Sequence, residues 1–345
     1  MKVIVANNMA PFMWGGAEEL AVNLVDRIRR RGHEAELLRI PFRWEPVGDI
    51  VAQMLAMRAM ELPNTDRLIA LKFPVYFLRH EHKSMWLLHQ FRQAYDLYDA
   101  GMSHLQSSGR GDELREAIAR ADQQSFGEAR NVFTNSLTTS DRLWHYNEVP
   151  SEVLRPPLND PELFTGGHSD GYIFAGGRVT VGKRQHLLVE AMAHTSNKVK
   201  LVIAGPPESA KDTAGLEKTI ERLGLGDRVK LDLRLLSRAE VAEYANRSAA
   251  CAYIPFDEDS LGYVAMEAAE AGKAIITTTD SGGVRGMVQA GNNGWIVDPT
   301  PRALGEAMSA ASQSSSLAKK MGKESREFWR GMNITWDYTL DRLLS

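Results

Sequence analysis

Short apolar runs alternate along this chain with longer segments whose apolar positions recur every three or four residues. Val3–Ala6 reads as a strand. Leu20, Ala21, Leu24, Val25 and Ile28 follow at helical spacing and predict an amphipathic helix over Ala17–Arg31, ended by Gly32. Further strands are predicted at Ala35–Ile40, Leu68–Phe73, Met85–His89 and Val132–Asn135, with a polar helical stretch over Asp112–Glu128. The proline-rich "LRPPLNDPELF", Leu154–Phe164, then interrupts the pattern as a domain boundary would. A second series follows: Tyr172–Ala175, Val199–Ala204, Val229–Leu233, Ala252–Pro255, Ala274–Thr278 and Trp295–Val297. Phe328, Trp329, Ile334, Trp336, Leu340 and Leu343 predict one terminal helix over about 325–345, packed back on the first domain.

Strands alternating with helices imply parallel sheets covered on both faces. Two such series predict an α/β protein of two Rossmann-like, doubly wound domains, 1–155 and 165–322. Ligands of such sheets lie at the carboxyl ends of the strands. Two domains facing each other across a cleft would put the chemistry there.

Composition narrows the function classes. A chain of 345 residues, 43% hydrophobic and 25% charged, fits a soluble two-domain protein. A net charge of −3 argues against a dedicated nucleic-acid binder, and the single Cys251 excludes an internal disulfide or a cysteine metal cluster. "MKVIVANN" is too short for a secretory h-region and no run approaches a membrane span, so a cytoplasmic protein is expected. Basic clusters at Arg27, Arg29, Arg30 and Arg31 and at Arg79, His80, His82 and Lys83 read as solvated faces, with peripheral contact to anionic lipid on the inner membrane face as the alternative.

Four segments carry candidate chemistry. In "FAGGRVTVGKRQHLL" a strand ends, two glycines turn the chain, and Arg178 and Lys183 flank a loop before a helix. A planar guanidinium and a compact ammonium at a helix start suit phosphate oxygens; a turn with solvated cations is the plain alternative. In "YIPFDEDSLGYVAMEAAEAG" three acids, Asp257, Glu258 and Asp259, precede a helix expected near Leu261, with Asp259 or Ser260 as its cap. The amides of Ser260, Leu261, Gly262 and Tyr263 would face a phosphate. Glu267, eight residues after Asp259, would lie about 12 Å away along a helix, roughly the span from hexose to ribose in a nucleotide sugar. Plain capping by Asp259 and a solvated face shared by Glu267 and Glu270 explain the same residues. The D-x-D spelling allows a Mg²⁺ reading, which the two cations make unnecessary. Gly15 and Gly16 open the first helix and allow close approach of a ligand, but G-x-G-x-x-G is absent. His89 stands at a strand's carboxyl end, where a structural histidine and a site residue are both expected.

Together these segments resemble the retaining family 4 glycosyltransferases of the GT-B fold over nearly the whole chain. The resemblance rests on "GGAEELAVNLVDRIRRRGHE", "VFTNSLTTSDRL", "GGRVTVGKRQHLLVEAM", "VKLVIAGP", "DEDSLGYVAMEAAEAGKAIITTTDSGG" and "GNNGWIVDP". It implies that Arg178 and Lys183 bind a diphosphate and that Asp259 and Glu267 occupy the E-x7-E positions, toward donor sugar and ribose. It implies that Ser260, Leu261, Gly262 and Tyr263 cradle phosphate, that Gly15 and Gly16 form the N-terminal glycine loop, and that His89 serves the acceptor. Three departures stand out. Asp259 replaces a glutamate, with Glu258 as the substitute; Arg184 replaces the glycine after the lysine; and Val284, Arg285 and Gly286 follow "SGG".

The implied activity is transfer of a hexose, with retention and without a metal or other cofactor, from a UDP- or GDP-sugar to the hydroxyl of a glycan, a lipid-linked acceptor or a small molecule. A nucleotide-sugar epimerase, a phosphorylase, a NAD-dependent oxidoreductase and a non-catalytic nucleotide-sugar-binding protein are the competing readings.

Overall fold

A computed structural model describes residues 1–345, excepting the side chains of Ser107 and Ser108. The chain divides into two compact units, Met1–Asn159 with Ile334–Ser345, and Asp160–Asn333. The crossover from the first to the second falls inside the proline-rich segment.

The first unit holds a six-stranded parallel sheet of β1 (Lys2–Met9), β2 (Glu34–Pro41), β3 (Arg67–Ala70), β4 (Lys83–Leu87), β5 (Asn131–Thr134) and β6 (Glu152–Val153), in the order β2-β1-β3-β4-β5-β6. Parallel strands are buried on both faces, which is why they read as unbroken apolar runs. Val3 and Val5 pack with Leu20, Leu24 and Ile28 of the helix Gly16–Arg30 and with Trp336, Leu340 and Leu343. On the other face Ala6, Leu68 and Met85 meet Phe73, Tyr76, Ile118 and Phe126. Leu24 is fully buried, so truncation to alanine would cost about 2–5 kcal/mol.

The second unit repeats the plan with β7 (Tyr172–Gly176), β8 (Lys200–Ala204), β9 (Val229–Asp232), β10 (Ala250–Ala252), β11 (Ala274–Thr278) and β12 (Gly294–Val297), all parallel, in the order β12-β11-β10-β7-β8-β9. β7 and β10 are therefore neighbours at the centre, and the loops that leave their carboxyl ends meet.

The single terminal helix expected over 325–345 is two helices. Ser315–Gly331 belongs to the second unit, and only Trp336–Leu344 returns to the first. Asn333 takes φ 49°, a left-handed turn that stops the first helix, and the Thr335 hydroxyl accepts from the Tyr338 amide to start the next.

Candidate functional site

The loop after β7 is built by its own caps. Gly177 takes φ 94°, and a Cβ on neighbouring Gly205 would lie 2.2 Å from the Gly177 carbonyl oxygen, so both glycines let the β7 and β8 loops touch. The Thr180 hydroxyl accepts from the Lys183 amide at 3.1 Å and closes a single 3-10 turn over Val181–Lys183. Arg184 then adopts φ 56°. That conformation explains why the resembling family has glycine here. Arg184 holds it through five hydrogen bonds, to the carbonyls of Ile254 and Pro255, to Thr278, and to both oxygens of Asp280 at 2.7 Å. It thereby ties the β7 loop to the loops after β10 and β11.

Lys183, thus placed, reaches across to the β10 loop. Its Nζ donates to the Tyr253 hydroxyl at 2.6 Å and to Glu258 Oε2 at 2.5 Å. Burial alone would lower the ammonium's pKa, but Tyr253 and Glu258 outweigh it and hold the group above its ordinary value, so Lys183 is charged throughout the neutral range. Burial first, and then the charge of Glu258, pushes the Tyr253 phenol up to about 12. Arg178 turns to a different acid, its Nη1 lying 3.6 Å from Glu208 Oε1. Tyr253 and Glu208 carried no signal in the sequence.

The triple-acid loop is pinned from β11. A Cβ on Gly282 would lie 2.3 Å from the Glu258 carbonyl oxygen, and one on Gly283 2.5 Å from that of Asp259, so "SGG" is required by close backbone contact. The helix begins later than expected, at Tyr263, with Gly262 as its N-cap at φ 79° and no side-chain cap. Asp259 and Ser260 therefore do not cap it. Only four of the eight steps from Asp259 to Glu267 are helical, so the 12 Å span expected from a continuous helix does not apply. Gly262 is set by Tyr253, whose ring would lie 2.2 Å from an added Cβ. Among the described residues the amides of Ser260, Leu261 and Gly262 donate to no backbone carbonyl, as the orphan amides of a helix start do. Asp259 is buried at 7% exposure, whereas Glu258 carries its carboxylate to Lys183.

Glu267 and Glu270 do not form a solvated face; both are buried, at 4% and 6% exposure. Glu267 Oε1 accepts from Arg238 Nη1 at 2.6 Å, and Glu270 Oε1 accepts from Arg330 Nη2 at 2.6 Å. Arg238, unmarked in the sequence, also donates from Nε and Nη2 to the two oxygens of Asp160.

In the first unit Gly15 caps the helix Gly16–Arg30 with an extended backbone at φ −156°, and a Cβ there would meet only Glu18 Oε2 at 3.4 Å. Packing within the unit thus leaves room for a side chain at Gly15. His89 lies two residues beyond the end of β4, at Leu87, not within the strand; its Nδ1 is 2.7 Å from the Gln90 carbonyl, which can only accept. The basic clusters are solvated only in part, with Arg29, Arg30, Arg31 and Arg79 exposed. Lys83 is fully buried against the Tyr76 carbonyl and Ser125, Arg31 pairs with Asp337 and Asp341, Arg29 bonds the Ala35 carbonyl, and Arg27 that of Asn159. Among the described residues no helix is long and apolar enough to cross a membrane.

Residues 167–328, nearly the whole second unit, match the family described as "Glycosyl transferases group 1". A D-inositol 3-phosphate glycosyltransferase of Corynebacterium glutamicum (strain R) is 26% identical over 305 residues, 78% of this chain and 71% of that protein. Sucrose-phosphate synthase from Thermosynechococcus elongatus superposes with TM-score 0.78 at 16% identity, over 99% of this chain and 97% of that one. Anabaena Alr3699/HepE, solved in complex with UDP and glucose, superposes with TM-score 0.73 at 16% identity, over 100% and 98%. Two parallel six-stranded sheets with flanking helices are the architecture of these GT-B neighbours. The second unit therefore carries the match to the group 1 glycosyl transferases, and the named relatives support a transferase enzyme.

Proposed function

We propose that this glycosyltransferase moves a hexose, with retention and without a metal, from a nucleoside-diphosphate sugar to an acceptor hydroxyl. The observation that carries the reading is Lys183, kept charged and set in the second unit beside a helix start where the amides of Ser260, Leu261 and Gly262 donate to no backbone carbonyl among the described residues. As the bond from sugar to diphosphate breaks, negative charge gathers on the leaving oxygens. Lys183, Arg178 and the amides of Ser260–Tyr263 would stabilise it, donors arranged before reaction. Each cation now holds a carboxylate, Glu258 on Lys183 and Glu208 on Arg178, which the diphosphate would displace. Once displaced, Glu258 is the acid free to meet hydroxyls of the donor sugar, a role that buried Asp259 suits less. Glu267 would take the ribose hydroxyls, Gly15 and Gly16 would admit the substrate backbone-close, and His89 would serve the acceptor.

The similar proteins order the candidates. HepE was solved with UDP and glucose, which makes UDP-hexoses the first donors to try, ahead of GDP-hexoses. The Corynebacterium relative is named for an inositol phosphate, which supports a polyol or sugar hydroxyl as acceptor; glycan and lipid-linked hydroxyls follow. A thermal-shift series with UDP-, GDP-, ADP- and TDP-hexoses tests the reading, since a ligand at 100 times its Kd stabilises by about 2.7 kcal/mol. One family of donors should raise the melting temperature, and the product made with an acceptor should keep the donor's anomeric configuration by NMR. No stabilisation by any donor, or consumption of donor to a second nucleotide sugar without an acceptor, would refute it.

A further inference from the structure

Arg238 is the first residue of the helix Arg238–Arg247, behind a reciprocal cap in which Ser237 and Glu240 bond each other's backbone. Its backbone is therefore fixed. Its side chain is fixed too: Nε donates to Asp160 Oδ2 and Nη2 to Oδ1, both at 2.8 Å, a bidentate clamp that leaves Nη1 to donate to Glu267 Oε1 at 2.6 Å. The Phe164 ring lies under the guanidinium at 5.4 Å from its centroid. The Glu267 side chain is 5% exposed, against 17% for Asp160 and 33% for Arg238. A carboxylate that deep in the protein needs a cation beside it to offset its burial.

We propose that Arg238 is a positioning residue for donor recognition: clamped by Asp160, it fixes the Glu267 carboxylate in one orientation for the hydroxyls of the donor ribose. The inference rests on the reading of Glu267 as the ribose-facing acid of the nucleotide site. An ionised carboxylate offers only acceptors, which suits a diol that must donate. A planar fork spans two carboxylates at a set angle, which a lysine cannot do.

The test is calorimetric titration of UDP and of its 2′,3′-dideoxy analogue into the intact chain, repeated with the GDP pair, for the wild type, Arg238→Gln, Arg238→Lys and Asp160→Asn. The wild type should prefer the ribonucleotide by about tenfold to a hundredfold, the worth of hydrogen bonds to a charged group. Arg238→Gln should bring that ratio close to one, and Arg238→Lys and Asp160→Asn should give intermediate ratios. In turnover assays KM should rise more than kcat falls. A purely structural ion pair would lower thermal stability and leave the ratio untouched; an unchanged ratio in folded Arg238→Gln, or in Asp160→Asn if the former does not fold, overturns the inference. A wild type that binds the ribonucleotide and its dideoxy analogue alike removes the ribose role of Glu267, and with it this inference, while the diphosphate grip stands. A wild type that binds no nucleotide brings down the functional reading as well.

Discussion

The Nζ of Lys183 and Oε2 of Glu258 stand 2.5 Å apart, with the Tyr253 hydroxyl 2.6 Å from the same nitrogen. In the proposed reading the glutamate occupies the place a phosphate oxygen would take. Glu258→Gln should therefore bind free nucleoside diphosphate several-fold more tightly, because a neutral amide competes less for the ammonium. The same variant should lose about tenfold or more in turnover if the carboxylate later holds donor-sugar hydroxyls. Calorimetry and initial rates on one preparation check both; weaker binding with normal turnover would assign Glu258 a scaffold role only.

Arg184 trades conformational comfort for a hub of contacts. A non-glycine residue in the left-handed region costs about 1–2 kcal/mol. Arg184→Gly removes that cost but leaves Asp280 without its guanidinium, and Asp280 is partly exposed, so the net loss should be about 1–3 kcal/mol. The hydrogen bond from Arg184 holds the Asp280 carboxyl below its ordinary range. A depressed carboxyl contributes stability above its unfolded pKa that disappears as pH falls through the folded value. The difference between Arg184→Gly and wild type in urea unfolding of the second unit should thus be present at pH 7 and shrink toward acid. A difference that grows toward acid contradicts this.

Asp122 gives the first unit the opposite pH dependence. It is fully buried and accepts from the hydroxyls of Tyr76 at 2.8 Å and Tyr95 at 2.7 Å, yet burial raises its pKa to about 7. A carboxyl raised in the folded state contributes stability that is complete below the unfolded pKa, near 3.8, and lost as pH rises through about 7. Between those values the slope should approach about 1.4 kcal/mol per pH unit. Asp122→Asn mimics the protonated acid and should flatten that part of the profile; thermal melts from pH 5 to 8 that show equal slopes for both proteins would contradict the assignment.

Gly15 separates ligand requirements from fold requirements. Its backbone is extended and its surroundings leave room for a methyl group, so Gly15→Ala should cost no more than about 1 kcal/mol, the loss of a tolerable helix cap. If substrate approaches the backbone there, turnover should fall by an order of magnitude or more while melting hardly moves. Unchanged turnover would make the glycine a simple cap.

Periodicity alone exposed most of the scaffold, because strands buried on both faces and helices with one apolar stripe have distinct spacings. β11 was legible to the residue, Ala274–Thr278. β6, two residues long, has no pattern to read. The helix start at Tyr263 was misplaced because the acids ahead of it look like caps, whereas close contact between Gly262 and the Tyr253 ring sets the turn. The break in the C-terminal helix had a local signal, the asparagine and threonine of Asn333–Thr335, masked by the apolar spacing on either side. Lys183 and the acid loop were visible as motifs. Arg238, Asp160, Tyr253 and Glu208 were not, since their partners are brought to them only by the order of strands in the sheet. Arg184 was visible as a departure from the family's glycine, and its reason, a left-handed residue held by Asp280, required the structure.

The most direct measurement is titration calorimetry of UDP and GDP into the wild-type chain and into Lys183→Ala, with circular dichroism to confirm that the variant folds. The account predicts binding of at least one nucleotide to the wild type and a loss of about a hundredfold or more in Lys183→Ala, since a charge-assisted contact to phosphate is removed. Equal affinity in a folded Lys183→Ala, or no binding of either nucleotide to the wild type, would contradict it.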